Sequence, residues 1–163
     1  MRDKVLTRQT IGLALQEAGL HPYVKGINYF SIHRGGDDYE VLTERLPEIY
    51  IRKTVSSDLF EWRDDKGILA CATNLFNAQP FPVRAIIGYD TMAFVLNVEV
   101  VSYEHLLERI PHWLDLVDQA IDQFGQACAT VVRDWEQNDL DKLEQELSNP
   151  SQNSPWLKGQ KRS

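Results

Sequence analysis

Two thiols, a row of imidazoles and carboxylates, and two aspartate pairs are the residues of this 163-residue sequence whose types could do chemistry. Cys71, in the stretch ILACATNLFNAQPFP, would act as a nucleophile if it were exposed, lowered in pKa and set beside a histidine or a cation. Its neighbours Ile68, Ala72 and Leu75 instead place it on an apolar helical stripe, so Cys71 reads as a small core hydrophobe, and Cys128 likewise. His105, Glu108, His112 and Asp115 recur at i, i+3, i+7 and i+10, which on one straight helix gathers them within roughly 80° of arc, as metal ligands would be. That arc lies opposite the apolar stripe, Pro111 interrupts it and no HExxH occurs, so a solvated polar face is expected, with no metal and no cofactor. Asp37-Asp38 and Asp64-Asp65 fall in a turn and at a helix start, where aspartate serves local hydrogen bonding. GxSxG, Walker and GxGxxG motifs are absent. The sequence therefore points to a non-enzymatic protein. The rival reading is an enzyme with an unrecognised site that uses Cys71 or the His105 and His112 row.

The composition sets the frame for these residues. An apolar fraction of 43% with 25% charged residues is that of one globular domain able to bury its own core, and no apolar run approaches the ~18 residues of a membrane helix. The start, MRDKVLTRQT, lacks the regions of a secretory signal, which leads to an expected cytoplasmic location. Two distant cysteines without a CxxC exclude a disulfide scaffold and the usual zinc spacings. The formal charge is −7, and residues 148–163 are basic, so the remainder is more acidic still and repels phosphate backbones. Nucleic acid is not an expected partner.

Periodicity locates the elements. Ile11, Ala14, Leu15 and Ala18 share one face of a helix capped by Thr7 and stopped at Gly19. From residue 26 the period becomes two, in INYFSIH, DYEVLTE and EIYIRKTV, with Gly35-Gly36 and Pro47 at the intervening turns, which predicts a three-stranded antiparallel meander. Residues 56–63 read as loop. After Asp64-Asp65, Ile68, Cys71, Ala72, Leu75 and Phe76 form a second amphipathic helix, with Asn77 as its C-cap and Pro80 and Pro82 leading into extended chain. Two strands follow, FPVRAIIGY and TMAFVLNVEVV, the latter burying Met92, Phe94, Leu96, Val98 and Val100. Ser102 caps a last long helix whose stripe runs from Leu106 to Trp135, with a kink or break expected near Arg109 because of Pro111. Leu140, Leu143 and Leu147 carry the apolar pattern to Asn149-Pro150. The expected architecture is α+β: helix, three-stranded meander, helix, two strands and a long C-terminal helix, an antiparallel sheet with helices on one face. It makes one domain over 1–147, with a helical extension from about residue 125 and a flexible basic tail over 148–163.

This element order, together with ATNLFNAQPFPVRAIIGYDTMAFVLNVEVVSYEHLLERIPHWLDLVDQAIDQF, resembles the YbjN family of bacterial proteins, whose fold is like that of type III secretion chaperones. Asn74 and Asn77, the strand pair and the Ser102–Leu107 helix start carry the resemblance, which spans roughly residues 7 to 127. It implies a sensory or regulatory, chaperone-like role in binding polypeptides, with no established active site. The candidate partner-binding residues are Asn74 and Asn77 where helix meets sheet, and Arg52, Arg84, Asn97 and Glu99 on the second face of the sheet. Trp135, Leu140, Leu143 and Leu147 on the extension point to a homodimer, and Trp156 in the tail is a further anchor for an unidentified polypeptide partner.

Overall fold

The computed structural model describes residues 5–60 and 65–148. Trp62, Asp64 and the tail with Trp156 lie outside the described residues. Helix α1 (Arg8–Glu17) starts as the sequence predicts: Thr7 Oγ1 accepts from the Thr10 amide, and Thr10 Oγ1 accepts from the Thr7 amide in return. Ile11, Ala14 and Leu15 are buried, and Gly19 takes the left-handed φ of +78° that ends the helix.

The meander gains a strand at its start. β1 (Tyr23–Gly26) precedes β2 (Tyr29–Arg34), β3 (Asp37–Arg45) and β4 (Glu48–Ser56). Sequence periodicity missed β1 because Tyr23, Val24 and Lys25 are all exposed, so nothing in this strand alternates. Gly35 and Gly36, both at positive φ, turn β2 into β3. Within residues 56–63, Ser57–Leu59 form a 3₁₀ turn, begun by the Ser56 side chain accepting from the Asp58 amide, and Phe60 turns into the core.

Asp65 caps helix α2 (Lys66–Asn77) through hydrogen bonds from the Gly67 and Ile68 amides. Strands β5 (Val83–Ile87) and β6 (Thr91–Glu99) complete one antiparallel sheet in the order β1-β2-β3-β4-β6-β5. Ser102 Oγ accepts from the His105 amide at the start of α3 (Tyr103–Ser148). This helix is continuous through Pro111, and the expected break near Arg109 does not occur. The buried stripe from Leu106 to Val131 holds the helix on both sides of the proline, which outweighs the local cost of one lost hydrogen bond.

Helices α1, α2 and α3 lie on one face of the sheet. On that inner face Phe30, Val41, Ile51, Leu96 and Val83 stand side by side across five strands. Phe60, Phe76, Phe94 and Phe124 then join the 3₁₀ turn, α2, β6 and α3 through edge-on and tilted ring contacts at 4.9–6.5 Å. Among the described residues no helix is long and apolar enough to cross a membrane.

Candidate functional site

The alternation that faces Ile49 and Ile51 inward also turns Lys53 inward, at the end of the sheet where α3 passes over. There Asp118 of α3 collects its partners. Lys53 Nζ donates to Asp118 Oδ1 at 3.0 Å, Arg34 Nη2 to Oδ2 at 2.9 Å, and the Tyr39 hydroxyl reaches both oxygens at 2.8 Å. Arg34 also pairs with Asp115, and Lys53 stands 4.9 Å from the centre of the Tyr39 ring. Burial by itself would raise the Asp118 pKa, but the hydrogen bonds from Tyr39 and Lys53 and the two positive charges outweigh it and hold the carboxyl below its ordinary value. Burial would lower Lys53, yet its bond to Asp118 and the neighbouring negative charge raise it. Burial and then the bond to Asp118 raise Tyr39. Lys53 is thus kept protonated and Asp118 ionised. Such a clasp fixes α3 to strands β2, β3 and β4. It borders a cavity of ≈ 650 Å³ that also takes in Val55, Leu59 and Ile121.

The outer face of the sheet has no covering layer among the described residues. Tyr29, Leu42, Tyr50 and Asn97 form one row across it, and Ser31, Glu40, Arg52, Val95 and Arg84 the next. Arg52 makes a two-bond pair with Glu40, while Glu48 and Glu99 stand opposite each other at one end. Arg52, Arg84, Asn97 and Glu99 therefore share this face, as their positions in the strands predict.

Other candidates occupy different places. Cys71 is exposed, and Leu75 is 38% exposed, which corrects the expectation of a core thiol. The face of α2 that packs is Ile68, Leu69, Ala72 and Phe76, rotated by roughly 50° from the apolar stripe, because Leu69 and not Cys71 meets the core. Cys128 is buried as expected, and burial pushes its pKa up to about 11. Asn74 is exposed. Asn77 is not the C-cap, a position Ala78 takes. Its side chain instead accepts from the Ala85 amide and donates to the Ala85 carbonyl, both at 2.9 Å, and so satisfies the free edge of β5. Arg84 Nη1 donates to the Asn77 carbonyl.

The imidazole row disperses. His105 Nδ1 accepts from the Val101 amide and its ring meets Trp113, Asp115 is drawn to Arg34, and Glu108 and His112 are exposed. Among the described residues no group of three or more His, Cys, Asp or Glu is placed to hold a metal. On α3, burial persists to Val131, beyond the expected start of the extension near residue 125, and residues 133–148 are exposed throughout. Trp135 is only 40% exposed, since its ring lies over Gly67 at the start of α2, where a Cβ would come within 3.3 Å of it. Leu140, Leu143 and Leu147 stay exposed.

Sequence reasoning missed the Arg34, Tyr39, Lys53 and Asp118 clasp. Its signal was the inward phase of Lys53 among Ile49, Ile51 and Val55, opposite a charge one turn beyond Leu114.

Comparison with known proteins supports the fold. The chain is similar to the crystal structure of YbjN from E. coli, whose role as a transcription regulator is itself only suggested, with a TM-score of 0.54 and 12% sequence identity over 79% of this chain and 96% of that one. It is also similar to an uncharacterized protein from Methanothermobacter thermautotrophicus, with a TM-score of 0.53 and 12% identity over 77% of this chain and 98% of that one. No family model matches the chain, and no curated protein matches it in sequence. The fold is YbjN-like.

Proposed function

We propose that this chain is a non-enzymatic, polypeptide-binding module with a regulatory or chaperone-like role, acting as a homodimer. The observation that carries the reading is the uncovered outer face of a six-stranded sheet, where Tyr29, Leu42 and Tyr50 offer aromatic and aliphatic surface around the Glu40–Arg52 pair. A mixed face of this kind, with tyrosine and arginine at its centre, has the composition of a protein interface. The regulatory part of the reading draws on the suggested role of the E. coli structure that shares the fold. Support against an enzyme is chemical: the Lys53–Asp118 cluster is matched to its own charges, and the His105 to Asp115 row is dispersed.

Tyr50→Arg places a charge in the row without touching the core. Affinity capture from the native organism is expected to recover a polypeptide with the wild-type chain and to lose it with the variant. Recovery of the same polypeptide by both, with the fold intact by circular dichroism, sinks the assignment to this face.

The homodimer rests on α3. Leu140, Leu143 and Leu147 are 51–72% exposed on a helical segment that packs on nothing described, and a lone helix of that length is marginal in water. Their 3–4 spacing is that of a helix–helix seam.

A further inference from the structure

The free edge of β1 adjoins a groove that the outer face does not reach. Helix α1 and β1 face each other across a cavity of ≈ 620 Å³ lined by Arg8, Gly12, Leu13, Pro22, Val24 and Phe30. Gly12 brings the helix against the Phe30 ring, where a Cβ would stand 3.1 Å away, so the floor of the groove is aromatic and tight. Its walls are open: Leu13 is 46% and Val24 57% exposed. The outer side of β1 pairs with no strand among the described residues.

Among the described residues Arg8 is the one charged residue in the lining. Its guanidinium lies 5.5 Å from the Phe30 ring centre and donates from Nη2 to the Gly26 carbonyl, while Nε is buried with no hydrogen-bond partner among the described residues. Among the described residues it forms no ion pair. A cation with no ion pair among the described residues, in an apolar groove on a chain of net charge −7, is complementary to a ligand that brings its own carboxylate.

We propose that the α1–β1 groove is a second polypeptide site, which takes an extended partner segment with apolar side chains flanking one carboxylate. The carboxylate pairs with Arg8, the apolar side chains lie on Leu13, Val24 and Phe30, and the segment's backbone adds to the edge of β1. The class of ligand rests on the reading of the chain as a polypeptide-binding module; the site is separate from the outer face.

The test is selection of a displayed random octapeptide library on the immobilised full-length protein. The expected pool is apolar with one acidic position, and a selected peptide in its Glu→Gln form binds at least about five-fold more weakly by fluorescence anisotropy. Arg8→Gln removes that preference. Leu13→Glu, a change at an exposed position, removes binding even if the Arg8 variant folds poorly. Tyr50→Arg leaves selection intact, which separates this site from the outer face. The proposal is overturned if no pool emerges, if acidic peptides are selected equally on Arg8→Gln, or if selection appears only after residues 1–4 are deleted, which would assign the groove to the chain's own start.

Discussion

Asp118 draws together Arg34, Tyr39 and Lys53, and its behaviour with pH follows from these partners. Its folded pKa is below the ordinary carboxylate value, so its contribution to stability is present above the unfolded pKa of about 3.9 and is lost as pH falls through the depressed value. Lys53 and Tyr39 are raised; their contributions are present below unfolded values of about 10 and are lost as pH rises through the folded ones. Urea unfolding across pH should therefore show a plateau with an acid and an alkaline limb. Asp118→Asn is expected to cost about 1–2 kcal/mol at neutral pH, discounted for the solvent that reaches this half-exposed site, and to flatten the acid limb. An unchanged acid limb in the variant would show that the clasp is not its source. The two thiols give a second test at this scale. Exposed Cys71 should react with a disulfide reagent in the native protein, and Cys128 only on unfolding. A rate for Cys71 far above that of a peptide thiol would instead favour the enzyme reading.

At the scale of elements, α3 shows tertiary packing overriding a local rule. Pro111 is exposed on the helix while Ile110, Trp113 and Leu114 beside it are buried, so the sheet grips the helix across the proline. Pro111→Ala restores a backbone donor and removes the ring, and should raise stability by about 1–3 kcal/mol by chemical denaturation. A loss of stability would mean that the proline's geometry is needed for the contact of Arg34 with the Pro111 carbonyl. Capping and periodicity were legible here: Thr7, Asp65 and Ser102 each start the helix the sequence predicts. The packed face of α2 was not, because Cys71, Leu75 and Leu69 are all apolar and only the position of the sheet selects Leu69. The role of Asn77 was hidden for a like reason, since the edge of β5 that it satisfies is brought to it by the fold.

For the whole molecule, the open question of assembly reduces to the exposed leucines of α3. In a homodimer through that segment, the unfolding midpoint rises with protein concentration, and Leu140→Glu with Leu143→Glu and Leu147→Glu abolishes the rise. Sedimentation of the full chain as a monomer at micromolar concentration would remove the dimer from the proposal. The architecture was largely readable from residue order alone. Strand and helix periods, turn glycines and capping residues are local properties, and they determined an α+β chain with an antiparallel sheet, helices on one face and a long final helix. What the sequence left undecided is whatever depends on which distant surfaces meet. Arg34, Tyr39, Lys53 and Asp118 lie up to 84 positions apart, and Arg8 reaches Gly26 across 18. Only the tertiary structure brings those charges together or, among the described residues, leaves Arg8 without an ion pair, because the energy of a partly buried charge is set by neighbours that local pattern does not specify.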